Sequence, residues 1–348
     1  MTDRKNTPFV SVLIPIRNEG SYISQCLQAV SQQDYPSDLL EILISDGLST
    51  DNTRALVAEW MKKDPRIQLF DNPKCIVPTG MNILILQARG DVIIRVDGHC
   101  VIAPDYVSNC VRHLLQDGVD GVGGPMRSIG EDFTSEVIAL AMSSKFGVGN
   151  SSFRTESGVS KLADTVPFPA YTRDIIWKVG LYDEELVRNQ DDEYNYRIRN
   201  AGGKILLAED VKSEYYSRGS LIKLWKQYFQ YGFWKVRVLQ KHPRQMSLRQ
   251  FVPLAFILTL IFALFLTIFT SWGWFTLAGL AGTYLIANIA ASITMASGEG
   301  SKKFFLLPIA FTIIHLSYGL GFLIGLFRFW NRWGDKRGSI PELSKHEY

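Results

Sequence analysis

The chain has 348 residues, which exceeds the usual size of one compact core and predicts two structural units. Its formal net charge of +3 at pH 7 is small for this length and gives no reason to expect a nucleic-acid partner. The four cysteines, Cys26, Cys75, Cys100 and Cys110, form no CxxC pair, which argues against a zinc knuckle or a disulfide framework. A reduced, cytoplasm-facing catalytic part is the simpler interpretation, and the apolar stretch near the N-terminus is too short for a signal peptide.

Short apolar runs alternate with amphipathic stretches up to about residue 210. Runs rich in Val, Ile and Leu predict strands over residues 9–15, 40–45, 67–70 and 91–97. The stretches between them predict helices over residues 21–33, 51–63 and 79–89, the second opened by a Ser-Thr-Asp cap. This alternation predicts an α/β fold with a mostly parallel sheet that is covered by helices on both faces.

Polar clusters follow three of the predicted strands. They are "PIRNE" after the first strand, "DGLSTDNT" after the second and "DGH" after the fourth. In parallel α/β sheets, ligands bind beyond the carboxyl ends of the strands, so the three clusters should meet in one cleft. These turns contain neither GxGxxG nor GxxxxGK[ST], so a dinucleotide fingerprint and a P-loop are unsupported.

The composition changes at about residue 250. No Asp, Glu, Lys or Arg occurs from residue 251 to residue 298, which fits two membrane helices joined by a tight turn near residues 271–274. A third apolar stretch, residues 304–327, contains only His315 as a potentially charged group. We therefore predict three membrane helices, with two helices and a re-entrant segment as the alternative. A buried helical core in a soluble protein fits charge-free runs of this length poorly.

The orientation of these helices is ambiguous from sequence. Lys and Arg favour the cytoplasmic side, and both the segment before Phe251 and the tail "RFWNRWGDKRG" are basic. Three crossings cannot place both on one side. Either the tail lies outside against the rule, or one apolar segment does not cross.

The segment before the apolar run is both basic and aromatic. Within "LIKLWKQYFQYGFWKVRVLQKHPR", Lys223, Lys226, Lys235 and Arg237 are interleaved with aromatic residues that include Trp225, Tyr228, Phe229, Phe233 and Trp234. This pattern next to a membrane span predicts a helix in the headgroup layer of an anionic leaflet and favours membrane lipids over nucleic acid. We expect a catalytic domain over residues 1–215, interfacial helices over 216–250, transmembrane helices over 251–330 and a basic tail over 331–348.

Two motifs carry a family resemblance. "VSVLIPIRNE" followed by "EILISDGLSTDNT" resembles the opening of the family 2 inverting glycosyltransferases, which have the GT-A fold and use nucleotide-sugar donors. The resemblance implies that Glu19 and Asp46 hold the nucleotide base and ribose. It also implies a donor pocket shaped by Pro15, Arg17, Asn18 and Gly47. The structural alternative is that Asp46 only caps a turn with Gly47.

"VDGH" occupies the place of the Asp-x-Asp motif of that family. The resemblance implies that Asp97 contacts a donor diphosphate and its divalent cation, Mn²⁺ or Mg²⁺. Residues i and i+2 point the same way on an extended chain, so His99 could face the same cation. A histidine departs from the family pattern and suits manganese better than magnesium. The alternatives for His99 are a hydrogen bond to phosphate or an indirect role, and Cys100 should point into the core.

"RNQDDEYNYRIRNAGGKI" resembles the catalytic segment of the family, where an acidic pair opens a helix and an arginine follows. Aligning Arg197 with that arginine places Gln190 where the first acid usually lies and makes Asp191 the base that an inverting transfer needs. Asp192 and Glu193 lie within the same helical turn, so Asp192 remains an alternative. An acidic helix N-terminus stabilised by the helix dipole is the structural alternative.

The segment "YGFWKVRVLQKHP", together with the three apolar stretches, resembles the membrane-bound glucosyltransferases of succinoglycan-type exopolysaccharide assembly, and this resemblance extends over the whole chain. This similarity implies a multi-pass protein of the plasma or inner membrane with a cytoplasmic catalytic domain. It would transfer a hexose such as glucose from a UDP-sugar to a polyprenyl-diphosphate-linked glycan. The QxxRW motif of processive synthases is missing after Asp191, which favours the addition of one sugar per encounter rather than polymerisation.

Three other functions stay open at this point. Transfer to a polyprenyl monophosphate would need no strong base, because that acceptor is already anionic. A non-catalytic membrane protein that binds nucleotide sugars or lipids is a second alternative. A transporter is a weaker one, because the apolar stretches contain no intramembrane acid and no repeat.

Overall fold

The computed structural model describes residues 7–149, 152–155, 158–217, 219–297 and 301–343. The chain divides into two compact units. We call Met1–Arg127, Glu156–Tyr215 and Arg337–Tyr348 the sheet unit, and Ser128–Thr155 and Tyr216–Lys336 the helical unit. The chain therefore enters the helical unit twice and returns to the sheet unit after each excursion.

The strands lie mainly in one eight-stranded sheet of order β3-β2-β1-β4-β9-β6-β10-β8. Strands β1 to β4 are parallel, β9 is antiparallel to its neighbours β4 and β6, and β5 pairs with β11 in a smaller sheet. The strands are β1 Val10–Ile16, β2 Leu40–Asp46, β3 Ile67–Asp71, β4 Val92–Arg95, β5 Cys100–Ile102, β6 Gly121–Gly123, β7 Met126–Ile129, β8 Lys161–Leu162, β9 Ala170–Thr172, β10 Ile205–Leu207 and β11 Ser213–Tyr216.

The longer helices divide between the two units. Those of the sheet unit are α1 Ile23–Ser31, α2 Thr53–Lys63, α3 Val77–Gln87, α4 Tyr106–Gln116, α8 Arg173–Val179 and α9 Gln190–Asn200. Those of the helical unit are α5 Phe133–Met142, α6 Lys145–Val148, α7 Ser152–Thr155, α10 Leu221–Lys241, α11 Val252–Phe269, α12 Trp272–Ala296 and α13 Leu307–Arg328.

The central strands explain why the sequence pattern was informative. Every residue of β1 and β2 is buried, as expected for parallel strands with both faces covered. Their register pairs Ile16 with Asp46, so the polar clusters that follow these strands begin side by side. The predicted α/β fold and its first four strands are confirmed. Of the predicted Ser-Thr-Asp cap, Asp51 accepts a hydrogen bond at 3.0 Å from the amide of Thr53, the first residue of α2, whereas Asn52, directly before the helix, makes no side-chain cap.

In the described part of the helical unit, three helices are long and apolar enough to cross a membrane, spanning Leu248–Phe269, Trp272–Ala296 and Lys302–Arg328. This confirms the predicted number of apolar helices, and the break between α11 and α12 falls at residues 270–271. Helix α5 packs against α13 through a cluster of buried side chains. These are Val137, Ile138, Ala141 and Met142 of α5 with Leu307, Ala310, Phe311 and Ile314 of α13.

Helix α10 is amphipathic, but only some of its basic residues face outward. Lys223 and Lys226 are exposed, whereas Lys235 and Arg237 are buried. The Arg237 guanidinium donates to Gln240 Oε1 at 2.6 Å and lies over the ring of Phe329. Of the four cations in the predicted interfacial helix, Lys235 and Arg237 are therefore not available to headgroups, because the C-terminal half of α10 packs inside the unit.

Candidate active site

The first two polar clusters interlock at the carboxyl edge of the sheet. The Asn18 amide donates to Ser49 Oγ at 2.8 Å, and Ser49 Oγ donates to Asp46 Oδ1 at 2.5 Å. The Asn18 side-chain oxygen accepts from the Thr50 amide at 2.8 Å. Asn18 has a φ of 55°, in the left-handed region that asparagine tolerates better than most residues. The loop after β1 is therefore fixed directly to the loop after β2.

Asp46 is fully buried and paired. Arg54 Nη1 lies 2.8 Å from Asp46 Oδ2 and 2.7 Å from Asp71 Oδ1, so one guanidinium joins the ends of β2 and β3. Hydrogen bonds to Asp71 and Asp46 raise the pKa of Arg54. A buried carboxylate requires such partners, and they fix Asp46 in place at the end of β2.

The remaining predicted pocket residues surround the same two strand ends. Pro15 pairs in register with Ser45, one residue before the end of each strand. A Cβ atom at Gly47 would lie 3.3 Å from Arg17, so the two loops are in close contact. Arg17 extends across the pocket to the carbonyl of Cys75, 3.4 Å away. The structure thus brings Pro15, Arg17 and Gly47 together beside Asp46.

Glu19 contacts the third cluster. His99 Nδ1 lies 3.0 Å from Glu19 Oε1, and a carboxylate only accepts, so the proton belongs on Nδ1. Gly98 permits this approach, because a Cβ there would lie 2.8 Å from Ile16 Cγ2 and 3.0 Å from Glu19 Cγ. The His99 ring also meets Tyr215 edge-on with centroids 4.7 Å apart. Sequence analysis did not anticipate the contact between Glu19 and His99.

A buried arginine links the third cluster to helix α9. Arg95 ends β4 with only 7% of its side chain exposed; its Nε donates to Asp97 Oδ1 at 2.9 Å and its Nη1 pairs with Asp191. Sequence analysis missed Arg95. The available signal was a cation inside the apolar run "DVIIRVD", since a buried charge requires a charged or polar partner. The structure brings together the two carboxylates, Asp97 and Asp191, that the motifs singled out.

Asp191 combines withdrawal from water with partial access. Desolvation raises the pKa of its carboxyl, Arg95 opposes that rise, and the negative charge of Asp97 adds to it. For Arg95, burial alone would lower the pKa, but the charges of Asp191 and Asp97 outweigh this and raise it. The Asp191 side chain keeps 37% of its surface exposed, so a substrate hydroxyl can reach it.

The start of α9 sets the orientation of Gln190, Asp191 and Asp192. Asn189 precedes the helix with a left-handed φ of 63°, and the turn buries Gln190 while Asp191 and Asp192 stay partly exposed. Gln190, the residue in the place of the family's first acid, therefore faces the interior.

Arg197 and Glu193 have a structural task. Arg197 Nε donates to Glu193 Oε1 at 2.8 Å, and its Nη atoms donate to the carbonyls of Val179 and Leu181 at 2.6 and 2.8 Å. Glu193 is buried. Arg197 thus fastens α9 to the segment after α8, and Glu193 is not available as a base.

Two side chains fit a divalent cation held jointly with a ligand. His99 Nε2 is buried without a hydrogen-bond partner in the described part of the chain, and Asp97 offers a carboxylate two residues earlier. The described residues contain no group of three or more His, Cys, Asp or Glu that could hold a metal. Two protein ligands suit an ion that takes its remaining ligands from phosphate and water. Cys100 is buried in the core, as predicted.

This α/β sheet with a carboxylate-rich cleft at its carboxyl edge is a GT-A-type core. Among solved structures it is similar to the mannosyltransferase PcManGT from Pyrobaculum calidifontis in complex with GDP-Man and Mn²⁺. The TM-score is 0.56 at 18% identity, covering 94% of this chain and 89% of that one. A second similar structure is GalNAc-T7 with UDP, GalNAc and Mn²⁺, at a TM-score of 0.50 and 19% identity, covering 70% of this chain and 52% of that one.

Sequence comparisons define the family. The protein-family model described as glycosyl transferase family 2 matches residues 11–180. The succinoglycan biosynthesis protein ExoA of Rhizobium meliloti (strain 1021) is 31% identical over 323 residues, covering 92% of this chain and 96% of the relative. A dolichyl N-acetyl-alpha-D-glucosaminyl phosphate 3-beta-D-2,3-diacetamido-2,3-dideoxy-beta-D-glucuronosyltransferase of Methanococcus voltae is 28% identical, covering 92% and 98%. The chain belongs to the family 2 glycosyltransferases, as its motifs predicted.

Proposed function

We propose that this protein is a membrane-bound, inverting, metal-dependent glycosyltransferase. It transfers a hexosyl group from a UDP-sugar to a polyprenyl-diphosphate-linked glycan during synthesis of an exopolysaccharide or other surface polysaccharide. The name of the Rhizobium relative supports the pathway class, and the name of the Methanococcus relative supports a sugar already joined to a polyprenyl phosphate as the acceptor. The sheet unit would lie on the cytoplasmic side, where nucleotide sugars are available.

The contact of Arg95 with both Asp97 and Asp191 is the observation that carries this proposal. One buried guanidinium holds the carboxylate of the diphosphate motif and the carboxylate of the catalytic motif in the same cleft. A donor diphosphate bound at Asp97 would therefore present its sugar next to Asp191. Asp191 would take the proton of the acceptor hydroxyl while that oxygen attacks the anomeric carbon from the side opposite the leaving UDP.

The other residues would bind and orient the donor. Asp46 would accept hydrogen bonds from the nucleoside, within the pocket bounded by Pro15, Arg17, Asn18 and Gly47. Asp97 and His99 would hold Mn²⁺ or Mg²⁺, which when bound offsets the negative charge that develops on the departing diphosphate. Glu19 would fix the His99 ring through Nδ1 and leave Nε2 available to a ligand.

Asp191→Asn in the full-length protein, purified in detergent, tests the base. We expect transfer from UDP-hexose to a polyprenyl-diphosphate-linked sugar to fall by roughly 10²–10⁴-fold, the usual contribution of a general base. UDP binding measured by calorimetry should persist and show that the variant is folded. Asp192→Asn is the matched control, since it removes the neighbouring carboxylate that lies outside the bridge to Arg95.

Three outcomes separate the alternatives. If Asp191→Asn transfers sugar at the wild-type rate and Asp192→Asn loses most of its activity, Asp192 is the base. If both variants transfer sugar to a polyprenyl monophosphate at the wild-type rate, the result favours this monophosphate as the acceptor, because it is already anionic and needs no base. UDP binding without turnover by the wild-type protein across a donor panel would favour a non-catalytic binding protein.

A further inference from the structure

The chain after α13 returns to the sheet unit. The Glu184 amide donates to the Ser339 carbonyl at 2.8 Å, and the Ser339 amide donates to Asp183 Oδ1 at 2.8 Å. Further along, Leu343 lines a small cavity together with Ile85 and Trp177. The tail is thus held by backbone and side-chain contacts on the same folded unit that contains β1 to β4.

This return limits how the chain can cross a bilayer. Glu156–Tyr215, which precedes the apolar helices, and Arg337–Tyr348, which follows them, belong to the same unit and must lie on the same side. The intervening segment therefore crosses an even number of times. Among the described residues, three helices are long and apolar enough to cross, so at least one of them does not.

The tip of the α11–α12 hairpin has the surface expected of a membrane crossing. Ile268, Phe269, Trp272 and Phe275 are between 66% and 76% exposed at that tip, and the turn between the helices carries no charge. With the turn that precedes it, α11 forms a 22-residue span, Leu248–Phe269, and α12 has 25 residues; at 1.5 Å per residue these are about 33 Å and about 37 Å long, enough to span a hydrocarbon core of about 30 Å. Trp272 and Trp274 at the turn suit the far membrane interface.

Helix α13 contacts the α11–α12 hairpin away from the tip of the hairpin. The backbone of Gly319 lies against Pro253 at the start of α11. Tyr284 Oη lies 2.9 Å from His315 Nδ1, and Asn288 Nδ2 donates to the Pro308 carbonyl at 3.0 Å. These contacts use the beginning of α11 and the second half of α12, away from the exposed tip.

The rest of α13 packs along α10. Glycines allow this close contact: a Cβ at Gly232 would lie 2.0 Å from the Tyr318 carbonyl oxygen, and one at Gly321 would lie 2.1 Å from that of Phe229. Helix α10 exposes Lys223 and Lys226 near its start. A helix with such a charged companion along its length does not fit the interior of a bilayer, where each lysine is costly.

We propose that, of the helices in the described ranges, α11 and α12 cross the membrane as a hairpin, and that α10 and α13 lie together in the plane of the membrane. Both helices lie at the boundary between the headgroups and the acyl chains, in the leaflet on the side of the sheet unit. Lys223 and Lys226 face the headgroups, and the exposed Ile309, Ile324 and Phe327 of α13 enter the acyl region. No Lys or Arg occurs from residue 251 to residue 298, so the basic residues of the helical unit stay on one side.

Depth measurements in full-length protein test this arrangement. Single spin labels would be placed on exposed positions by Ile309→Cys and Ile324→Cys, in a Cys75→Ser background and in vesicles of phosphatidylcholine and phosphatidylglycerol. A crossing α13 would separate the two labels by about 22 Å in depth, because 15 residues rise 1.5 Å each. We expect the two depths to agree within a few ångströms. The matched control is Leu258→Cys and Ile268→Cys on α11, which should differ by up to about 15 Å.

Labelling with a membrane-impermeant maleimide tests the side of the tail. Gly334→Cys follows α13 at a position where a Cβ meets nothing within 4 Å, and Ser271→Cys lies in the hairpin turn. We expect Gly334→Cys to react only in inside-out vesicles and Ser271→Cys only in intact cells. Reaction of both from the same side, or a large depth difference within α13, would overturn the proposal. Both readouts are independent of transferase activity, so their failure is distinguishable from failure of the proposed function.

Discussion

Arg95→Met should shift the pH dependence of transfer toward alkaline pH. Asp191 must be ionised to accept a proton, and Arg95 holds the pKa of its carboxyl down against desolvation and the charge of Asp97. Without the guanidinium, the pKa of Asp191 rises. The acidic limb of the pH profile of kcat/KM then moves to higher pH, and activity recovers in part as the pH is raised.

The size of this shift follows from the position of Arg95. Unit charges about 4 Å apart interact by about 4 kcal/mol at an effective dielectric constant of about 20, and one pKa unit corresponds to about 1.4 kcal/mol. This gives a ceiling of about 3 units for the loss of Arg95. Because 37% of the Asp191 side chain is exposed, solvent screening reduces the interaction. We expect a shift of roughly 1–2 units.

The assay is the pH profile of transfer by the purified protein, with UDP binding as a check on folding. Arg95→Lys is the matched control, because it keeps the charge but loses the fork that reaches two carboxylates, so its shift should be smaller. In Arg95→Met, the raised pKa of Asp191 also makes the fold less stable as the pH rises. The thermal midpoint should therefore fall more at pH 8 than at pH 5. An unchanged acidic limb in a variant that still binds UDP would refute this role of Arg95.

Two further predictions concern a contact in each unit. Glu19→Gln removes the charge that orients His99, so the Mn²⁺ concentration for half-maximal activity should rise at least tenfold; an unchanged metal titration curve would contradict the contact. Gly232→Ala forces a Cβ against the Tyr318 carbonyl and should destabilise the protein by about 1–3 kcal/mol, seen as a lower unfolding midpoint in detergent. Gly279→Ala, where a Cβ meets nothing within 4 Å, should leave that midpoint unchanged, and equal effects of the two variants would count against the tight contact.

Local pattern was sufficient for the first half of the sheet. Strands β1 and β2 are buried throughout and mostly apolar because helices cover both faces, and the polar clusters that follow them mark where each strand ends. The positions of Asp46, Asp97 and Asp191 could be read from short motifs, because each lies at the end of a strand or the start of a helix.

The pairings between motifs could not be read in this way. Arg95 and Asp191 are far apart in sequence, and a cation within a strand has many conceivable partners. The contact of His99 with Glu19 depends equally on tertiary structure. Arg237 shows a limit of composition, since its charge predicted headgroup contact, whereas its position on α10 buries it among Gln240 and Phe329.

The excursion through α5 has a practical consequence for crystallising the sheet unit alone. Truncation after residue 215 would keep Val137, Ile138, Ala141 and Met142 but delete the α13 residues that cover them. Such a fragment would expose the apolar face of α5 to water and should precipitate even though its sheet is intact. A soluble version would need residues 128–155 replaced by a short polar loop, since this insertion folds as part of the half that is removed.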